Sequence, residues 1–100
     1  MIGSIGVIMR PLTHALPGAL AQLLRDAPLS DGKVGFAWRA AVGPAVERAT
    51  KVKLERRTLI VETTSLQWSR EVTRSAPTIL KRLQTLLGAD VVDRIEVRRA

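Results

Sequence analysis

TKVKLERRTLIVETTSLQWSREV, residues 50–72, decides the fold. Thr50, Val52 and Leu54 alternate with Lys51 and Lys53, and Leu59, Val61 and Thr63 resume the same pattern after Glu55–Thr58. Successive strand side chains point to opposite faces, so both runs read as half-buried strands of an antiparallel hairpin. A two-residue type I′ turn needs positive φ at both central positions, which Arg56 and Arg57 resist. A longer loop or a type I turn with a bulge is therefore expected there. Thr64 and Gln67 then match a T-x-x-Q capping box. The helix they open carries Trp68, Val72 and Ala76 on one face. Pro77 removes a backbone donor and is expected to interrupt it. A further segment with Ile79, Leu80, Leu83 and Leu87 runs to Gly88, and Ile95 and Val97 mark a closing strand with Arg94, Glu96 and Arg98 outward.

Upstream, Pro17 to Arg25 reads as a short helix with Leu16, Leu20, Leu23 and Leu24 as its apolar stripe. After the Ala27–Gly32 loop, Ser30 or Asp31 is placed to cap a second helix, since either oxygen can accept from first-turn N–H groups. Val34, Trp38, Ala41 and Val42 share one face of it. Gly43 stands where a left-handed residue ends a helix, and Pro44 can open another turn to Arg48. The order is helix, helix, strand, strand, helix, helix, strand. Without the first helix this is the order of a type II KH-like fold: an α+β domain with helices on one face of a three-stranded sheet. At 100 residues the chain is one such domain over 12–100, preceded by a segment at 1–11 that reads as frayed. Met1–Met9 is apolar but too short to span a bilayer, lacks a basic flank for a secretory signal, and leaves Met9 as an alternative start.

Enzyme chemistry finds no footing. Cysteine is absent, and the one histidine, His14, has no second metal ligand at a recognised spacing. Gly32-Lys33 is not a phosphate loop, because Ala27 replaces the first glycine and Val34 the Ser or Thr. Carboxylates are scattered, with no pair suited to acid–base work. No cofactor, metal or small-molecule substrate is expected.

Charge points elsewhere. The chain carries a net +7 and 12 arginines against 4 lysines. A small basic domain meets nucleic acid, an anionic membrane or an acidic protein. Arg48, Lys51, Lys53, Arg56 and Arg57 crowd ten positions of the hairpin, facing only Glu47 and Glu55. Arg70 and Arg74 lie one turn apart, Lys81 and Arg82 follow Pro77, and Arg98 and Arg99 close the chain. These side chains form the candidate phosphate-contacting set. The backbone clamp of nucleic-acid-binding KH domains is excluded, since Ser75-Ala76-Pro77-Thr78 has no glycine where a GXXG loop belongs. Trp38 and Trp68 are core candidates by position, yet at the rim of the core either would suit a partner interface.

The ordered residues Trp38-Arg39-Ala40-Ala41-Val42-Gly43, Ala49-Thr50, Leu59-Ile60-Val61, Thr64 through Val72 and Leu86-Leu87-Gly88 resemble the DciA family of bacterial replication proteins over about residues 12–99. The resemblance implies a KH-like, non-enzymatic, cytoplasmic and nucleoid-associated protein. Such a protein binds single- or double-stranded DNA and the DnaB-type replicative helicase, and assists helicase loading without an ATPase of its own. Trp38 and Trp68 correspond to the family's tryptophans. Three departures are visible. Many members have a disordered tail, whereas little here lies outside the domain; Arg56-Arg57 stands where a glycine is common, and Ala49 where histidine is. The fold and charge also permit an RNA- or ribosome-associated KH-like factor, or a protein-binding module whose charge answers an acidic partner.

Overall fold

The computed structural model describes residues 18–100. The elements are α1 (Gly18–Asp26), α2 (Asp31–Val42), α3 (Pro44–Ala49), β1 (Lys51–Glu55), β2 (Thr58–Thr63), α4 (Leu66–Leu87) and β3 (Arg94–Arg99). The expectations for the 1–11 segment, His14, Leu16 and the Leu20 side chain lie outside the described residues.

β2 is the central strand of a mixed sheet, antiparallel to β1 and parallel to β3. Its register sets Val52, Leu54, Leu59, Val61, Ile95 and Val97 on one face, as the alternation predicts. Leu59 and Val61 are fully buried there under α2 and α4 with Trp38, Val72, Leu83 and Val92. The class is α+β, with helices packed on the sheet. The opposite face carries Lys51, Lys53, Glu55, Thr58, Ile60, Glu62, Arg94, Glu96 and Arg98.

Three local expectations are corrected. First, the hairpin turn is a two-residue one, because Glu55 pairs with Thr58 and both Arg56 (φ 49°) and Arg57 (φ 68°) are left-handed. Each such L-residue costs about 1–2 kcal/mol. Part of that is recovered through Arg57, whose carbonyl accepts from Asp93 N–H at 2.8 Å while its guanidinium reaches Asp93 (3.4 Å) and the Ala89 carbonyl (3.3 Å). Second, α4 runs unbroken through Pro77 for 22 residues. An interior proline costs about 3 kcal/mol. Burying Val72, Ile79, Leu83, Leu86 and Leu87 on both sides of it returns about 1.5–3 kcal/mol each. Pro77 itself is exposed, so its missing bond faces water. Third, the α4 cap is Ser65, whose Oγ accepts from Trp68 N–H, one residue later than the Thr64/Gln67 box. Thr63 takes over the preceding step, accepting from Ser65 N–H.

The α1 stripe also differs. Ala21 is buried, whereas Leu23 is 67% exposed. α2 matches its reading, with Ser30 as cap and Gly43 (φ 87°) at its end. Lys33, in the excluded phosphate-loop dipeptide, is buried, and its ammonium donates to the Arg25 and Ala27 carbonyls at 3.1 and 2.6 Å. A cation at a helix C-terminus is favourable, so Lys33 serves to seat α1 on α2.

Candidate nucleic-acid interface

The basic run that is continuous in sequence is divided in space. β1 separates Arg48 and Lys51 from the Arg56-Arg57 tip by roughly 15 Å. At the first end α3 finishes, β1 begins, and β2 and β3 stop. Thr63 joins them, donating its hydroxyl proton to the Ala49 carbonyl at 2.9 Å while its own carbonyl accepts from Ala100 N–H at 3.1 Å. A recess of about 280 Å³ opens here, lined by Arg48, Lys51, Glu62, Thr63 and Thr64. Arg99 lies opposite Thr63 in the sheet register.

The hairpin tip has a different chemistry. Its recess, about 540 Å³, is lined by Arg56 and Arg98 but also by Glu55 and Glu96. The intervening outer face is a checkerboard. One row reads Lys51, Glu62, Arg98, the next Lys53, Ile60, Glu96, and the third Glu55, Thr58, Arg94. Lys53 pairs with Glu55 at 3.2 Å, and Arg98 pairs with Glu96 at 2.5 Å. The Glu96 hydrogen bond, with its charge, raises the Arg98 guanidinium above its ordinary pKa.

The candidate phosphate contacts therefore fall into three groups. Lys51, Arg56, Arg70, Lys81 and Arg99 are exposed and without an ion pair among the described residues. Lys53, Arg57, Arg98 and Arg74 are engaged with carboxylates, the last with Glu71. Arg82 is half-buried and donates to the Ala41 carbonyl at 3.0 Å, so it ties α4 to the end of α2. Arg39, Arg48 and Arg94 are also exposed. Arg39 has no neighbouring cation in sequence, so no run of charge marks it. The crowded hairpin stretch already contains Arg48.

The tryptophans divide in the same way. Trp38 is 2% exposed. Its indole N–H donates to Thr50 Oγ1 at 2.9 Å, and Thr50 in turn donates to the Val46 carbonyl at 2.8 Å. One side chain thereby fixes α2, the end of α3 and the start of β1. Trp68 is half-buried and lines a groove of about 130 Å³ with Val42, Val46, Val72, Ile79 and Arg82.

Among the described residues, no His, Cys, Asp or Glu side chains group as a metal site, and no helix is long and apolar enough to cross a membrane. The family model described as Dna[CI] antecedent, DciA, matches residues 11–97 of the 100-residue chain. The chain belongs to the DciA family. That places it in a helicase-loading accessory family of DNA replication rather than in a known class of catalysts. No curated protein matches the chain.

Proposed function

We propose that this DciA-family chain is a non-enzymatic replication accessory protein that binds DNA and a DnaB-type helicase and assists helicase loading. Residues 12–100 act as one KH-like domain in the cytoplasm, at the nucleoid. The observation that carries the reading is the family match together with a net charge of +7, much of it on exposed, unpaired arginine and lysine. DNA is held by side chains, because α4 is continuous through residues 75–78 and offers no glycine loop to clamp phosphates. Lys51, Arg56, Arg70, Lys81 and Arg99 supply direct contacts, while Lys53, Arg57, Arg74, Arg82 and Arg98 contribute to the field or hold the scaffold.

The helicase takes the groove beside Trp68, where Val42, Val46, Val72 and Ile79 stand beside Glu71, Ser75 and Arg82, since a half-exposed tryptophan is a common anchor of a protein interface. Trp38 acts from beneath by fixing the α2–α3 wall of that groove. The test is capture of the replicative helicase from nuclease-treated mixtures, alongside a DNA titration. Nuclease-resistant capture by the native chain, lost in Trp68→Ala with DNA affinity kept, is the expected result. Loss of capture on nuclease treatment, or tight RNA preference in a parallel titration, would contradict it.

A further inference from the structure

Resting on the nucleic-acid reading, we propose that the principal phosphate anchor is the sheet end built by Arg48, Lys51 and Arg99 around Thr63 and Thr64, and that the hairpin tip is secondary. Two elements supply the cations that line the recess, Arg48 from α3 and Lys51 from β1, and Arg99 from β3 lies opposite Thr63 at the same end of the sheet. All three are exposed, and none has an ion pair among the described residues. The one acidic side chain that lines the recess is Glu62, set in register between Lys51 and Arg98. The exposed Thr64 borders it, and a threonine hydroxyl can donate to a phosphate oxygen.

The start of α4 lies beside the recess through the Thr63–Ser65 bond, and a long helix directs its positive end toward bound anions. Arg70 projects from the exposed side of the second turn of that helix. Phosphate chemistry thus has cations, a hydroxyl donor and a favourable dipole in one concave place.

The tip lacks this concentration. Arg57 is spent on Asp93 and Ala89, Glu55 and Glu96 line the tip recess, and Asp90 belongs to the loop that Arg57 grips. Arg56 and Arg94 remain, beside the two outer-face rows nearest the tip, Lys53–Ile60–Glu96 and Glu55–Thr58–Arg94, whose charges cancel. A phosphate chain gains most where cations outnumber carboxylates, because released counterions scale with the phosphates neutralised. Both Arg48 and Lys51 sit at the junction that Trp38 fixes through Thr50, so their spacing is held before DNA arrives.

The test is fluorescence anisotropy of a labelled oligothymidylate of about 12 nucleotides, titrated with the full chain over a range of salt. R48Q/K51Q should weaken binding roughly tenfold at low salt and lower the log–log salt slope by about 1.4, the value for two phosphate contacts on a single strand. R56Q/R94Q should change affinity by less than about threefold, a partial share of the same electrostatic attraction. Thermal melts of both variants check that the exposed replacements leave the fold intact. Losses that are equal, or larger for the tip pair, would overturn the sheet-end anchor while leaving nucleic-acid binding standing. A native chain that binds no oligonucleotide would overturn the nucleic-acid reading and this site with it.

Discussion

The two ends of the three-stranded sheet use the same residue type for opposite purposes. At the tip, Arg57 is held by Asp93 and the Ala89 carbonyl, and the left-handed turn depends on that latch. At the other end, Arg48 and Lys51 line a recess with Glu62 as its one acidic side chain, and Arg99 lies opposite Thr63 beside it. A count of basic residues treats both ends alike. The difference lies in carboxylates supplied by strands and loops distant in sequence.

The largest effect that sharpens this contrast comes from beneath the sheet end. Trp38→Ala should cost about 3–5 kcal/mol in urea unfolding, the range for a buried tryptophan truncation, a large share of the roughly 5–15 kcal/mol available to a domain. It should also weaken DNA binding at any temperature where the variant stays folded, because Thr50 loses its indole donor and the Arg48–Lys51 junction loosens. Trp38→Phe should keep most of the stability, which separates packing from the hydrogen bond.

Charge reversal gives the next largest difference. Arg48→Glu should weaken oligonucleotide binding about tenfold more than Arg56→Glu, as a difference in phosphates neutralised requires. A titration at one low salt concentration suffices to rank them. The tip then provides a reversed sign. Arg56→Gly should raise stability by about 1 kcal/mol in a denaturant series, since glycine adopts positive φ without a Cβ clash. Its DNA affinity should stay within about twofold. The smallest effect belongs to Arg57→Ala, a loss of under about 1 kcal/mol for an exposed ion pair, read as a modest fall in melting temperature.

Strand alternation, the Gly43-Pro44 helix junction and a cap at Ser30 or Asp31 were legible because each is a local signal: period two, a left-handed stop, and a side-chain oxygen before an apolar run. The continuity of α4 was not legible. Pro77 is a strong local signal against a helix, and only the burial of Ile79, Leu83 and Leu87 with Val72 outweighs it. The tip escaped for a similar reason, since the Asp93 and Ala89 partners that hold Arg57 lie over thirty residues away.

The basic character of the candidate site was also plain in the sequence, but its division into two ends was not. Strand length places Arg48 and Arg57 at opposite ends of the hairpin, and only the parallel pairing of β3 brings Arg99 beside Thr63. Trp38 and Trp68 look equivalent as helical tryptophans. Their difference in exposure arises from packing: Trp38 lies within the core and gives its N–H to Thr50, whereas Trp68, in the first turn of α4, lines the groove at the rim.

Amide chemical-shift mapping of the full chain during titration with a short single-stranded DNA oligomer tests the contrast most directly. The account predicts the largest shifts at residues 48–51, 63–66 and 98–99, with small ones at 55–58 and 92–94. Dominant shifts at the 55–58 turn and the 92–94 loop, with residues 48–51 and 63–66 unmoved, would contradict it.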